Sequence, residues 1–316
     1  MNLTAALQNL FKSNMKKLYF NHFWQILKKA SINWFDRDPF REGAVIAYYA
    51  IFALPGLLVL IISVSGYFFG NEIVSGHVEN QVSNVLGKNA ASQVQSILSM
   101  AMESKDSVWA TIIGAVTLLV GATGVFAQLQ KSLNNIWNVE VKVSKSGIWD
   151  FFKTRIFSFG LIISIAFLLL MFLVLSSLVN AFSGWIEQYL SDSMMVVFQV
   201  FDFALSLVVI TVLFALMLKI LPDARIKQKS VWIGAFITAL LFVIGKSALG
   251  LYFGKAEPAL GYGPAGSIIL ILLWTSYSSM IVFFGAEFTK VYSDYHFGKT
   301  APSEIAVKTS TEVKPS

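Results

Sequence analysis

Long apolar runs, separated by polar segments, set the pattern of this chain. A helix needs roughly 20 apolar residues to cross about 30 Å of hydrocarbon. Six runs meet that requirement and are apolar nearly all round, at about 44–69, 107–128, 155–180, 196–221, 231–253 and 267–291. The pattern predicts an all-α polytopic membrane protein, a bundle of six transmembrane helices over residues 44–292.

The segment before the first run, residues 1–43, has a different periodicity. Its apolar residues recur at helical spacing at Phe20, Phe23, Trp24, Leu27 and Trp34, with polar and basic residues on the other faces. This pattern predicts an amphipathic helix. Two placements fit it equally: a basic helix lying in the membrane interface, held by aromatic residues and anionic lipid, or a helix packed under the bundle.

Two further polar segments complete the outline. The loop 70–106 carries two short amphipathic stripes, which predict short extracytoplasmic helices on either side of Gly87. Residues 293–316 are polar, with many Lys, Ser, Thr and Pro residues. Such a composition predicts a disordered tail.

The positions of Lys and Arg give the orientation. If the N-terminus is cytoplasmic, twenty of these residues lie in inner segments or at their edges, and the outer loops hold only Lys88, Lys105 and Lys255. Because basic residues accumulate on the cytoplasmic side of short loops, both termini are predicted to be cytoplasmic.

Composition then restricts the function. Only 13% of the residues are charged and 56% are hydrophobic, too few charges to cover a soluble globule of 316 residues. The net charge of +6 is spread over four segments beside the spans and forms no single basic groove, so we expect no nucleic-acid partner.

The residues that usually support catalysis or metal binding are scarce. There is no cysteine, and His22, His77 and His296 are far apart in the sequence. No nucleophile, zinc or phosphate-binding motif is present. We therefore expect a non-enzymatic protein with no cofactor and no metal, whose partners are membrane lipids.

Two charged residues lie within the predicted spans, where each is costly in hydrocarbon. At a rise of 1.5 Å per residue, Asp202 is about 9 Å and Lys246 about 10 Å from the outer end of its helix. Because the two share a depth, we predict that both face the interior of the bundle and interact. Two explanations stay open, an interhelical tie and a polar path for a substrate.

Glu287 is predicted near the cytoplasmic surface, about 30 Å from the outer end of the sixth span. The same two explanations apply to it, and a tie between helices is favoured. Its candidate partners at that level are Arg41, Arg155 and Lys219.

Small residues in two spans predict close helix contacts. They are Ala110, Gly114, Thr117, Gly121 and Gly124 in the second span and Gly234, Ala235, Thr238 and Ala239 in the fifth.

Several short motifs resemble those of one family of bacterial inner-membrane proteins. They are Ala44–Pro55 in the first span, Leu133–Trp137 with Val139 after the second, Lys246 with Gly250 and Tyr252, and Tyr262–Ser267 continuing to Glu287. The family is YihY/BrkB, whose older name, ribonuclease BN, is regarded as a misassignment. The resemblance covers roughly residues 30–295.

The resemblance implies an inner-membrane protein with a role in envelope integrity, and transport of lipid-like envelope molecules has been proposed for the family. It brings no established catalytic residues. It draws attention to residues within the motifs, namely Tyr48, Tyr49, Asn134, Lys246, Tyr262 and Glu287, which together with Asp202 are the candidates for a substrate path. Interfacial anchoring is a simpler explanation for the two adjacent tyrosines.

Three functions follow in order of preference. The first is a transporter or exporter of a lipid-like or amphipathic envelope molecule. The second is a non-transporting membrane scaffold for envelope integrity. The third, a tRNA-processing nuclease, is disfavoured by the missing metal ligands.

Overall fold

The computed structural model describes residues 22–69, 76, 79–80, 82–83, 91–92, 94–96, 108–141, 192–256, 258, 260–303 and 306–309. Six helices account for most of them: α1 (22–36), α2 (Pro39–Phe69), α3 (Val108–Trp137), α4 (Asp192–Ile220), α5 (Gln228–Ala256) and α6 (Gly266–Phe297). A 3₁₀ helix, Leu260–Ala265, precedes α6, and two short strands are β1 (Val139–Val141) and β2 (Ala306–Lys308).

Five of the six predicted spans coincide with helices α2 to α6, and the third, 155–180, lies outside the described residues. Within the described part of the chain, three stretches are long and apolar enough to cross a membrane: Phe203–Ile220, Gln228–Lys255 and Ile268–Phe297. The described residues between 76 and 96 are helical, in the loop where short helices were predicted.

α3 continues beyond its predicted end at residue 128 as far as Trp137. Hydropathy marks where the apolar run stops, whereas the helix itself ends where a residue leaves the helical backbone conformation. That point is Asn138, whose φ of 52° is left-handed, a conformation that Asn tolerates better than most residues.

The helices pack in a continuous order. α2 lies against α3 and α6, and α5 lies against α6 and α4. One end of this bundle, which we call the capped end, is formed by α1, the last turns of α3, the segment 221–227 and the segment 298–309. The opposite end, which holds residues 250–265, is called the far end.

The segment after α6, predicted to be disordered, is partly folded. β2 pairs antiparallel with β1, with Glu140 opposite Val307, and Ala306 is buried in the core of the capped end. Ser303 N donates to Asp223 O at 2.9 Å, and Arg225 N donates to Ala301 O at 2.9 Å. The prediction was wrong for the described residues of this segment, because composition reports average polarity and not the backbone groups with which β1 and residues 223–225 bind it.

α1 packs against α6. Ile26 and Ala30 are buried with Phe288 and Val291, and Trp34 Nε1 donates to the carbonyl oxygen of Met280 at 3.1 Å. These contacts describe the face of α1 that lies on α6, and its other face stays open to the interfacial placement that the sequence also allowed.

Small residues bring helices together where the sequence predicted. A Cβ at Gly234 would collide with Thr289, and one at Gly285 with Thr238, so two Gly-x-x-x-Thr segments cross reciprocally between α5 and α6. On α3, Gly121 faces the backbone of α2 at Ala53. The rest of the predicted face on α3, residues 110, 114 and 117, has side chains outside the described part.

Candidate functional site

Arg37 is the centre of the polar contacts at the capped end. It lies at the turn between α1 and α2 and donates to the carbonyl oxygen of Asn135 at 2.7 Å and to Asn138 Oδ1 at 3.0 Å. A cation is favourable at a helix C-terminus, where carbonyl groups have no helical partner. Arg37 therefore closes the end of α3.

The same arginine forms an ion pair with Glu287 of α6, whose side chain is fully buried. Asn33 Nδ2 approaches the other carboxylate oxygen at 3.5 Å. The interhelical tie predicted for Glu287 is thus present, but its partner is Arg37. Arg41 instead lies 3.6 Å from Glu42, and Lys219 Nζ donates to the carbonyl oxygen of Ile226, while Arg155 is outside the described part.

A second carboxylate lies near this pair. Glu42 Oε2 accepts hydrogen bonds from Ser132 Oγ at 2.6 Å and from Gln128 Nε2 at 2.8 Å. A cavity of about 20 Å³ is lined by Arg37, Glu42, Ser132 and Glu287 among others. That volume holds about one water molecule. This cavity therefore has no room for a lipid-like molecule.

Asn134, one of the residues within the family motifs, clamps α3 to the segment after α4. Its Nδ2 donates to Asp223 Oδ2 at 2.8 Å, and its Oδ1 accepts from the backbone N–H of Asp223 at 2.8 Å. Gln130 Nε2 donates to the same carboxylate at 3.2 Å. Both Asn134 and Asp223 are buried, so this reciprocal pair holds the last turns of α3 against the segment after α4.

Lys246 lies toward the far end of α5, and its side chain is exposed. Its helical position continues the row of Ala235, Ala239 and Phe242, which faces α4 and α6 because Phe242 contacts Phe214 and Trp274. This row of α5 therefore contacts α4 and α6, but the side chain of Lys246 is itself exposed, and its enclosure within the bundle stays a prediction. The helices beside α5 leave this position uncovered.

The remaining candidates are dispersed. Asp202 is on α4, but its side chain lies outside the described part, so its interaction with Lys246 stays a prediction. Tyr262 is exposed before α6, and Tyr48 is exposed on α2. Tyr49 packs against Gly124 of α3. The structure therefore brings Glu287 and Asn134 to the capped end and leaves the other described candidates away from it.

Sequence reasoning missed three residues of this end: Arg37, Glu42 and Asp223. The sequence contains a local signal for Arg37 alone. Arg37 follows Asn33 by four residues, a spacing that brings two side chains to the same side of the chain in a helix. No local signal identified Asp223. Among the described residues, no group of three His, Cys, Asp or Glu side chains is placed to hold a metal ion.

Comparison with known proteins shows a match to one protein family. The family described as Virulence factor BrkB matches residues 33–307, which include α2 to α6, β1 and the first two residues of β2. The match therefore covers the apolar helices and the capped end except for residues 22–32 of α1 and residues 308–309.

Individual relatives are membrane proteins of unstated activity. A UPF0761 membrane protein of Pseudoalteromonas atlantica is 24% identical over 272 residues, covering 84% of this chain and 85% of the relative. The UPF0761 membrane protein YihY of Shigella boydii is 30% identical over 204 residues, covering 61% of this chain and 63% of the relative. No solved structure matches the chain.

Proposed function

Because this chain belongs to the Virulence factor BrkB family of membrane proteins, we propose that it moves a lipid-like or amphipathic envelope molecule across the bacterial inner membrane. It does so without catalysing a reaction, as a six-span bundle with both termini in the cytoplasm. The capped end then faces the cytoplasm.

The observation that carries this proposal is the exposed Lys246, on the row of α5 whose Phe242 contacts Phe214 of α4 and Trp274 of α6. It lies within Gln228–Lys255, a stretch apolar enough to cross a membrane. A cation at hydrocarbon depth is costly and marks a substrate or ion path more often than a lipid-facing surface. An anionic headgroup that contacts Lys246 offsets that cost.

Lys246 also has apolar neighbours suited to acyl chains. Leu249 and Trp274 pack beside Phe253 and Leu270 at the far end, one turn beyond Lys246. A cation next to an apolar row matches a molecule with an anionic head and a hydrocarbon tail. The substrate class we propose is therefore an anionic amphipathic lipid.

A reconstituted translocation assay tests the proposal. Full-length protein is placed in vesicles that contain a fluorescent phosphatidylglycerol, and the fraction accessible to an external reductant is followed with time. Lys246→Ala is expected to slow translocation by roughly fivefold or more, since one lysine is worth about 1 kcal/mol to an anionic headgroup near the membrane surface. Lys246→Arg is expected to retain most of the rate.

Lys255→Ala is the matched control, because it removes an exposed lysine from the last turn of the same helix. Its rate should equal that of the unsubstituted protein. If Lys246→Ala also leaves the rate unchanged, Lys246 has no part in the movement of lipid.

The closed capped end favours a second candidate, a membrane scaffold that moves nothing. Among the described residues, the cavity beside Arg37 and Glu287 is water-sized. If protein-containing vesicles and protein-free vesicles translocate the lipid at the same rate, the scaffold role is supported and transport is rejected.

A further inference from the structure

α1 carries two exposed rows of different chemistry. Gln25, Lys29 and Asp36 form a polar row, as expected for a surface helix in water. The neighbouring row on the surface of the helix consists of Trp24, Lys28, Ile32 and Phe35. Its three apolar members are 60%, 50% and 61% exposed.

The opposite face of α1 is already occupied. Ile26 and Ala30 are buried against α6, and Trp34 contacts Phe284 edge to face at 5.9 Å. The apolar row is therefore additional to the face that packs on the bundle. It is not explained by the core.

α1 runs antiparallel beside the second half of α6. At one end His22 contacts Tyr295, with ring centroids 5.4 Å apart, and at the other Trp34 bonds to Met280. Residues 280–295 belong to the stretch Ile268–Phe297, which is apolar enough to cross a membrane. The exposed apolar row of α1 therefore lies next to a helix that is long enough to cross a membrane.

Neighbouring helix ends expose aromatic side chains too. Phe40 at the start of α2 is 59% exposed, and Tyr295 and Phe297 at the end of α6 are 53% and 45% exposed. Aromatic residues concentrate where a membrane meets water. Basic amphipathic helices bind such surfaces when the leaflet is anionic.

We propose that α1 docks through Trp24, Lys28, Ile32 and Phe35 against an anionic leaflet, while its opposite face stays packed on α6. The Trp34 end of α1 lies beside Met280 and its His22 end beside Tyr295. Ile32 and Phe35 therefore reach the acyl boundary, and Trp24 lies among the headgroups. Lys28 contacts lipid phosphates, and Lys29, on the neighbouring polar row, adds positive charge near them. A lysine within the apolar row favours lipid over a protein partner, because lysine is depleted in the cores of protein interfaces. This assignment does not depend on transport.

Spin labelling tests the occupant. The chain has no cysteine, so single cysteines at Ile32→Cys or Phe35→Cys carry a label without background. In vesicles of phosphatidylglycerol and phosphatidylethanolamine, labels at 32 and 35 should be accessible to oxygen and protected from a water-soluble nickel chelate. Gln25→Cys, on the polar row of the same helix, is the matched control and should show the reverse.

Two results overturn the docking. One is equal exposure of the labels at 25, 32 and 35 to the nickel chelate, which places the whole face in water. The other is strong spin–spin coupling between labels at residue 35, which identifies a second copy of the chain as the occupant.

The headgroup charge is tested separately. A fluorophore on Ile32→Cys should be quenched several times more by doxyl-labelled phosphatidylglycerol than by doxyl-labelled phosphatidylcholine. The double substitution Lys28→Gln and Lys29→Gln should make the two lipids quench equally. Equal quenching with both lysines present rejects the preference for an anionic leaflet.

Discussion

The two ends of α5 and α6 differ in how closely their surroundings hold them. At the capped end, Gly234 and Gly285 each meet a threonine of the other helix, and the buried Glu287 is paired with Arg37. At the far end, a Cβ at Gly250 or Gly254 would meet nothing within 4 Å, and Lys246 is exposed.

That difference shows where the bundle can change shape at low cost. Close packing and paired charges resist small displacements, because each contact is lost as soon as the helices separate. Open positions have no such contacts to lose. A rearrangement that admits a substrate is therefore expected to involve the far end first, with the capped end as the fixed part.

The largest loss of stability is expected when the buried carboxylate of the capped end is removed. Glu287→Ala leaves Arg37 without its ion partner and creates a void, and removing one member of a buried pair typically costs about 3–5 kcal/mol. The apparent Tm, followed by the fluorescence of the eight tryptophans in detergent, should fall strongly. Asp36→Asn, which neutralises an exposed acid on α1, is the control and should change little; an equal effect of the two substitutions would contradict a structural role for the pair.

Adding one methyl group at the capped end and one at the far end tests the difference in packing between them directly. Gly285→Ala pushes α6 away from Thr238 and should destabilise the protein by about 1–3 kcal/mol, the usual cost of overpacking. Gly250→Ala, in open space on α5, should be neutral or stabilising by about 0.5–1 kcal/mol, since alanine is the better helix former. Thermal unfolding of both variants checks this, and a similar loss at both positions would show that the far end is packed as tightly.

The clamp at Asn134 should give a smaller loss of stability than the removal of Glu287. Asn134→Ala deprives the buried Asp223 of two hydrogen bonds, which typically costs about 1–3 kcal/mol. The neighbouring Asn135 is exposed, and its side chain accepts only one long hydrogen bond at 3.4 Å, so Asn135→Ala is the matched control. The prediction fails if the two alanine variants unfold at the same temperature.

Much of the described helical framework was predictable because it depends on local properties. The apolar runs located α2, α4, α5 and α6 to within a few residues at most of their ends. Small residues at Gly121, Gly124 and Gly234 also marked real helix contacts, since only a short side chain lets two backbones approach.

The site was less predictable, as Glu287 and Lys246 illustrate. Depth along the helix predicted that Glu287 lies near one surface of the membrane, and in the structure it lies at the capped end. Depth does not specify direction around the bundle, so Arg41 and Lys219 were predicted as partners in place of Arg37. For Lys246, the predicted inward direction came from the depth it shares with Asp202, but exposure depends on which neighbouring helices cover the position, and the side chain is exposed.

The sequence by itself determined which segments are apolar enough to need lipid, and the overall distribution of charge. The tertiary structure decided which distant groups meet: Asn33 with Glu287, 254 residues apart, and Asn134 with Asp223, 89 residues apart. It also decided that β2 folds onto β1. The physical reason is how far along the chain each property depends on other residues. The need of a segment for lipid is set by its own residues and their near neighbours. An ion pair or a strand pair forms only where the folded bundle brings its two partners together.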